Sequence, residues 1–235
     1  MERVQKVIAE SGFCSRRKAE KLIKEERVKV NGETITLGTK VSGSDIITID
    51  GKEIRKEEKE YYLLNKPRGV ISTSSDDKGR KTVIDYIDTN KRIYPVGRLD
   101  YDTTGALILT NDGELANILT HPKNNIEKSY YVKVEGKVMG EEIHILERGI
   151  KVDNEFLKPD KVKFRKYDET TNSTYLTVVL HEGHNHEVKK LFEFVNHPVI
   201  KLKRESIDFL TINDLKSGEY RRLNPKEVQK LYNLK

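Results

Sequence analysis

Apolar positions return along this chain at helix spacing and at strand spacing in separate blocks. Val4, Val7 and Ile8 mark the inner face of a short first helix that stops near Gly12. Ala19, Leu22 and Ile23 repeat the spacing in a second helix, which Ser15 can cap. Residues 28–30, an Asn31-Gly32 turn and residues 34–36 predict a hairpin, and 46–49 predict a further strand. The pattern then breaks: residues 52–60, Lys-Glu-Ile-Arg-Lys-Glu-Glu-Lys-Glu, are almost wholly charged and have the composition of a linker. Apolar runs resume as strands at 61–65, 106–109, 126–135, 161–165, 175–180 and 199–207. Helical spacing appears at 82–88, 113–120, 140–148 and 186–196. Asn224-Pro225-Lys226-Glu227 is a capping signature with Pro at the first helical position, and it opens a terminal helix. Strands and helices mix without strict alternation, which predicts an α+β fold with a mainly antiparallel sheet. The division that follows is a small helix-helix-hairpin domain at 1–52, a linker at 53–60 and a larger domain at 61–235.

Charge adds a direction to this outline. Lys and Arg number 44 against 38 Asp and Glu, a balance compatible with a polyanionic partner. The excess is uneven: residues 1–30 carry nine basic and five acidic side chains, residues 31–60 five and seven. Cys14 is the only cysteine, which rules out an intrachain disulfide and a cysteine-based zinc site. No apolar run approaches the roughly 20 residues of a membrane span, and the first residues lack a signal peptide's apolar core. The expectation is a soluble, cytoplasmic protein.

The candidate chemistry lies in residues 94–113, Tyr-Pro-Val-Gly-Arg-Leu-Asp-Tyr-Asp-Thr-Thr-Gly-Ala-Leu-Ile-Leu-Thr-Asn-Asp-Gly. Gly97 and Gly105 bracket Asp100, Arg98 stands two positions before it, and a buried strand follows to hold the loop. A carboxylate so fixed can act as nucleophile or base, and Arg98 can grip a phosphate. The plainer alternative is a polar turn between strands. The stretch closely resembles the Gly-Arg-Leu-Asp motif of bacterial ribosomal RNA pseudouridine synthases. That resemblance implies that Asp100 is the essential catalytic residue, with Arg98 and Leu99 beside the substrate.

Other motifs fall in the order of that family. Arg17, Lys21 and Lys24 share one face of the second helix, opposite its apolar stripe. Residues 13–20, Phe-Cys-Ser-Arg-Arg-Lys-Ala-Glu, with Val-Lys-Val-Asn-Gly at 28–32, resemble the small RNA-binding domain first described in the fourth small-subunit ribosomal protein. The resemblance implies RNA-backbone contacts from Arg16, Arg17, Lys18 and Lys21. Lys66-Pro67-Arg68-Gly69 reads as a turn whose bases are solvated or touch phosphate, and it is similar to a Lys-Pro-x-Gly stretch that precedes the catalytic loop in the synthases. In Lys128-Ser129-Tyr130-Tyr131-Val132 the two tyrosines face opposite sides of a strand. The family's Lys-x-Tyr-x-Val pattern falls on Tyr130 and implies that its ring packs on the target base, worth about 1–3 kcal/mol.

His181-Glu182-Gly183-His184-Asn185-His186 narrowly misses a zinc-protease pattern, because position 185 is Asn and the segment is a turn rather than a helix. It matches better the synthases' third motif, which continues through Glu187-Val188-Lys189-Lys190. Val188, Leu191, Phe192 and Val195 predict the buried stripe of the helix. The resemblance makes Lys189 the basic partner of Asp100, whereas Glu187 departs from the family's usual Gln. Arg204 lies on the face of its strand opposite Lys201, Lys203 and Glu205, and is a substrate-contact or structural candidate by similarity to a Leu-x-Arg-x-x-Ile segment. Gly79-Arg80-Lys81-Thr82 lacks the Gly-Lys pair of a phosphate-binding loop.

Together these resemblances imply isomerisation of a uridine in ribosomal RNA to pseudouridine, without metal or cofactor, on ribosomal RNA or a subunit-assembly intermediate, by a monomer. The overall likeness favours the large-subunit enzymes; small-subunit relatives share the motifs. The role of the Asp, as nucleophile at ribose or ring or as base, is open at the level of sequence. A non-catalytic RNA-binding assembly factor is the rival class. It would be expected to have lost Asp100 or Lys189, and both are present.

Overall fold

The computed structural model describes residues 1–181 and 183–234; Glu182, in the third motif, and Lys235 lie outside the described residues. The N-terminal unit forms as its spacing predicts. Helix α1 (Val4–Glu10) and helix α2 (Arg16–Lys24) pack Val4, Ile8, Ala19, Leu22 and Ile23 onto a small sheet of Val28–Val30, Glu33–Thr34, Ile47–Ile49 and Lys52–Glu53. The Ser15 side chain accepts the Lys18 N–H and so caps α2. Asn31 and Gly32 take φ values of 53° and 86°, the left-handed pair that a two-residue hairpin turn demands. The second hairpin strand is shorter than expected, ending at Thr34, and the fourth strand lies inside the stretch read as linker.

That charged stretch is no loose tether. The Ile54 N–H donates to Ile47, the Glu57 N–H to the Glu10 carbonyl at 3.2 Å, and Lys56 bonds both Glu2 and Glu10 at 2.9 Å. Lys59 reaches Asp112 of the larger unit at 3.0 Å, and the Glu60 N–H donates to Asn111 at 2.8 Å. Its charges are consumed by partners far away in sequence, which local composition cannot reveal.

The larger unit is built on one sheet whose main path runs Lys161–Asp168, Ser173–Leu180, Lys128–Glu135, Val199–Ile207, Thr104–Thr110, Tyr61–Lys66 and Tyr220–Arg222. Tyr94–Val96 adds to the Thr104–Thr110 strand, and Leu210–Thr211 adds to Val199–Ile207. Every pairing is antiparallel except one. Val199–Ile207 meets Thr104–Thr110 in parallel, over only Lys203–Thr104 and Arg204–Gly105. There the backbones come so close that a β-carbon on Gly105, at φ 112°, would stand 2.1 Å from the Arg204 carbonyl oxygen.

Alternate residues of the two central strands enter opposite cores. Tyr62, Leu64, Leu107 and Leu109 join one, while Leu63, Ala106 and Ile108 join the other. Helix α4 (Gly140–Arg148) and helix α5 (Glu187–Phe194) cover the first through Leu146, Val188, Leu191 and Phe192. Helix α3 (Gly113–Thr120) and helix α6 (Pro225–Tyr232) cover the second through Leu115, Leu119 and Leu231. The terminal helix begins as predicted, with Asn224 and Glu227 in a capping box. The segment expected to be helical over 82–88 is only a 3-10 turn, Val83–Tyr86, which opens on a Thr82–Asp85 capping box and stops where Ile87 turns extended, at φ −107° and ψ 121°. The fold is α+β with a mainly antiparallel sheet.

Candidate active site

The loop that carries Asp100 is fixed by its backbone before any side chain is considered. Thr103 donates to the Asp100 carbonyl at 3.1 Å, and Gly69 donates to the Tyr101 carbonyl at 2.8 Å. The Ser72 hydroxyl donates to the Leu99 carbonyl at 2.8 Å and accepts the Leu99 N–H at 3.1 Å. Beneath the loop, the Lys66 ammonium donates to the carbonyls of Thr103 at 2.8 Å, Asp100 at 3.0 Å and Pro67 at 3.2 Å. Lys66 is 0% exposed, so the reading of it as a solvated or phosphate-touching base is corrected: it is an internal brace. Burial pushes its pKa down to about 8, against the pull of Asp100 and Asp102.

So held, Asp100 presents a half-buried carboxylate to the start of α5. Lys189 Nζ lies 3.2 Å from its Oδ2, as the third motif led us to expect. Lys189 also holds Asp102, with Nζ to the two carboxylate oxygens at 2.9 and 3.1 Å, a partner the sequence reading missed. The lysine's pKa is raised: burial works against the charged form, but hydrogen bonds to Asp102 and Asp100 outweigh it. The same hydrogen bond lowers the pKa of Asp102. On the other side, His186 Nε2 stands 3.5 Å from Asp100 Oδ1. His186 precedes α5 in a left-handed conformation, φ 56°, which costs a non-glycine residue about 1–2 kcal/mol and here turns the imidazole toward the carboxylate. Glu187 is buried and its Oε2 accepts the His184 N–H at 3.0 Å, so its carboxylate shapes the turn into the helix.

Asp100 opens onto a cleft of about 80 Å³ that Lys189, His186, Leu99, Tyr130 and Arg98 also border. Arg98, Tyr130, Gly183 and His184 are shared with a neighbouring cavity of about 470 Å³, which extends to Arg204, Lys128 and His121. Of the tyrosine pair, Tyr130 lies in the cleft wall, while Tyr131 faces away and packs on Tyr175 with ring centroids 5.8 Å apart. Arg98 is exposed at the junction of the two spaces. Leu99 is buried in the core and borders the cleft, so it anchors the loop. Arg204 is 4% exposed; its Nε donates to the Ala106 carbonyl at 2.7 Å, and a buried Nη2 has no partner among the described residues.

The residues proposed to touch RNA backbone stand apart from this centre. Arg16, Arg17, Lys18 and Lys21 are exposed on α2, with Lys21 also 3.7 Å from Glu25. Among the described residues no three His, Cys, Asp or Glu side chains are grouped to hold a metal, and no helix is long and apolar enough to cross a membrane.

The assembly is an anchored carboxylate paired with a cation, beside an aromatic face and an arginine in a cavity large enough for a nucleotide. Comparison with known proteins gives it a class. Residues 60–194 match the RNA pseudouridylate synthase family, and residues 2–47 match the S4 domain. The chain is 52% identical over 233 residues to the ribosomal large subunit pseudouridine synthase B of Bacillus subtilis (strain 168), covering 98% of this chain and 96% of that one. It is 43% identical to an uncharacterized RNA pseudouridine synthase of Aquifex aeolicus (strain VF5), covering 98% and 93%. A crystal structure of a pseudouridylate synthase superposes with a TM-score of 0.69 at 32% identity, covering 98% of this chain and all of that one. The chain therefore belongs to the RNA pseudouridylate synthase family, as an enzyme with an S4 domain at its N-terminal end.

Proposed function

We propose that this enzyme converts a specific uridine of large-subunit ribosomal RNA to pseudouridine, with Asp100 as the catalytic carboxylate. The target class follows from the 52% identical Bacillus subtilis relative, whose name specifies the large ribosomal subunit. The observation that carries the chemical assignment is the placement of Asp100, 3.2 Å from Lys189 in a cleft walled by Tyr130. In the reaction the bond between uracil N1 and the ribose breaks and a bond from C5 to the same ribose carbon forms. The proton displaced from C5 is balanced by one gained at N1, so nothing else is consumed. Asp100 acts on the nucleotide in the cleft through its carboxylate. Lys189 orients the carboxylate, and the Tyr130 ring supports the base once it leaves the stack, offsetting an unstacking cost of a few kcal/mol. Arg98 holds phosphate at the cleft entrance, and Arg204 offers a buried donor to the nucleotide.

In this reading residues 1–52 are the RNA-binding unit, 53–60 the connector and 61–235 the catalytic unit, and the enzyme works as a cytoplasmic monomer. Pseudouridine mapping of ribosomal RNA from cells lacking the gene is the test. Loss of one large-subunit pseudouridine, restored by the wild-type gene and not by Asp100→Asn, is the expected result. Loss of a small-subunit site would redirect the target, and an unchanged map would favour a non-catalytic assembly factor.

A further inference from the structure

The S4 unit and the active-site cavity are joined by a feature that neither match describes. Helix α3 and the Tyr94–Val96 strand lie side by side and begin and end together. A β-carbon on Gly113, at the start of the helix, would stand 3.3 Å from the Tyr94 hydroxyl and 3.4 Å from Arg16 Nη2. One on Gly97, just past the strand, would stand 4.0 Å from Thr120 at the helix end. Three strand residues and seven helical residues both span about 10 Å. One end of this ridge therefore carries Arg16 of the S4 unit, and the other is the rim of the 470 Å³ cavity, at Gly97, Arg98 and Thr120.

The charges along the ridge are arranged for an outside partner. Arg92 lies close enough to Cys14 and Tyr94 for its charge to act on both side chains, as Lys18 does on Cys14 and Arg16 on Tyr94. Elsewhere Arg27, Arg55, Arg80, Arg221 and Arg222 each hold a carboxylate. Among the described residues Arg16, Arg92 and Arg98 hold none, nor do Arg3, Arg17, Arg68, Arg148, Arg165 and Arg204, so what sets the three apart is their place along the ridge. Two acids near Tyr94 would neutralise them if free, but both are engaged. Glu10 bonds Lys56 at 2.9 Å, and Asp112 bonds Lys59 at 3.0 Å and Tyr61 at 2.8 Å while also accepting from Tyr232. Two lysines thus engage both of these acids.

We propose that Arg16, Arg92 and Arg98 form one phosphate-binding track along this ridge, over which the RNA strand passes from the S4 unit to the catalytic cleft. The inference rests on the RNA-modifying role proposed above. It assigns a new contact, Arg92, and gives the S4 unit a positioning role as well as a binding one, since it fixes the phosphates a few nucleotides from the target uridine. A strand held at both ends of a 10 Å ridge (about the length above) meets Asp100 in one register, which is a means of selecting a single uridine.

The test measures equilibrium binding of the full-length protein to the large-subunit ribosomal RNA fragment it binds tightest, as a function of salt. Arg92→Gln should lower the slope of log K against log salt by about 0.7–0.9, the loss of one phosphate contact, and Arg92→Lys should keep the wild-type slope. On a fragment that is modified, Arg92→Gln should raise KM several-fold and leave kcat within about two-fold. Arg148→Gln, on α4, is the control for net charge. An unchanged slope in Arg92→Gln, or an equal loss in Arg148→Gln, overturns the track. Binding is read independently of isomerisation. A wild-type protein that binds the fragments but forms no pseudouridine would sink the proposed activity and leave the track still tested.

Discussion

At the end of the Tyr61–Lys66 strand a lysine has lost all contact with water and donates to three backbone carbonyls. At the start of α5 another lysine, with 28% of its side chain in solvent, holds two carboxylates. Both serve the Asp100 loop, from opposite halves of the sheet, and they differ in what they fix. Lys66 sets where the backbone of residue 100 lies; Lys189 meets its carboxylate with an opposite charge. A buried ammonium is costly unless its protons are all placed, and the three carbonyls place them. The half-buried pair at Lys189 needs less compensation, and for the same reason contributes less to stability. Geometry is therefore held by the group that is expensive to bury, and charge by the group that is easy to replace.

The comparison is broken most completely where both lysines converge. Asp100→Asn keeps the side-chain volume and should reduce turnover on ribosomal RNA by on the order of a thousandfold or more, with a melting temperature close to wild type. Retained turnover would remove Asp100 from the chemistry. Next in size is Lys189→Met, expected to lower kcat about a hundredfold, with Lys189→Arg retaining more activity because the charge survives while the planar fork aims it less well. Equal losses in the two variants would show that length, rather than charge, is what position 189 supplies.

Lys66→Met should act more weakly on kcat, by about ten- to a hundredfold, through a displaced loop. Its signature is in pH. With the folded pKa near 8 and the unfolded pKa at the ordinary lysine value, both states hold the proton below pH 8. Between the two values only the unfolded chain keeps it, so proton uptake by the unfolded chain makes wild-type stability fall as pH drops from the upper value to the lower. The sign follows from the proton count: the unfolded state binds more protons across that window, so stability rises with pH there. Holding the proton in the fold at neutral pH costs on the order of 3 kcal/mol, and Lys66→Met should lose the corresponding rise in denaturant titrations from pH 8 to 10. A wild-type curve no steeper than the variant's would contradict the buried-charge account. Asp102→Asn should have the smallest effect, a fall of under about tenfold in kcat, because Lys189 keeps Asp100 as a partner. A loss as deep as that of Lys189→Met would make Asp102 a full member of the centre.

Much of this centre was legible before the fold was known, and its gaps have a common cause. Gly97-Arg98-Leu99-Asp100 and Val188-Lys189 could be matched because motif and helix stripe are local features. Strand alternation is local too and put Tyr130 and Tyr131 on opposite faces, while the choice of Tyr130 came from the family's Lys-x-Tyr-x-Val pattern. Lys66 could not be placed, since nothing in Leu-Asn-Lys-Pro-Arg-Gly signals that its ammonium will meet carbonyls at 100 and 103. Asp102 was passed over beside Asp100, because which loop acid faces α5 depends on the turn at Thr103. His186 was read as a zinc candidate and as part of the third motif, without a role toward Asp100, and its left-handed backbone, which aims the ring at Asp100, has no sequence mark. The bonds that pin the charged 53–60 segment were hidden for the same reason, their partners being Glu2, Glu10 and Asp112.

The parallel contact at Gly105 has a consequence of another kind. The strands that deliver Asp100 and Lys66 lie on one side of it, and those that deliver Tyr130, Arg204 and Lys189 lie on the other. The two parts of the candidate site are thus registered against each other across a seam two residue pairs long, where the backbones touch because position 105 has no β-carbon. The working distance between carboxylate and aromatic ring is gauged by an atom that is missing. A single methyl added there would act as a shim, parting the two halves of the site without altering any residue that meets the substrate.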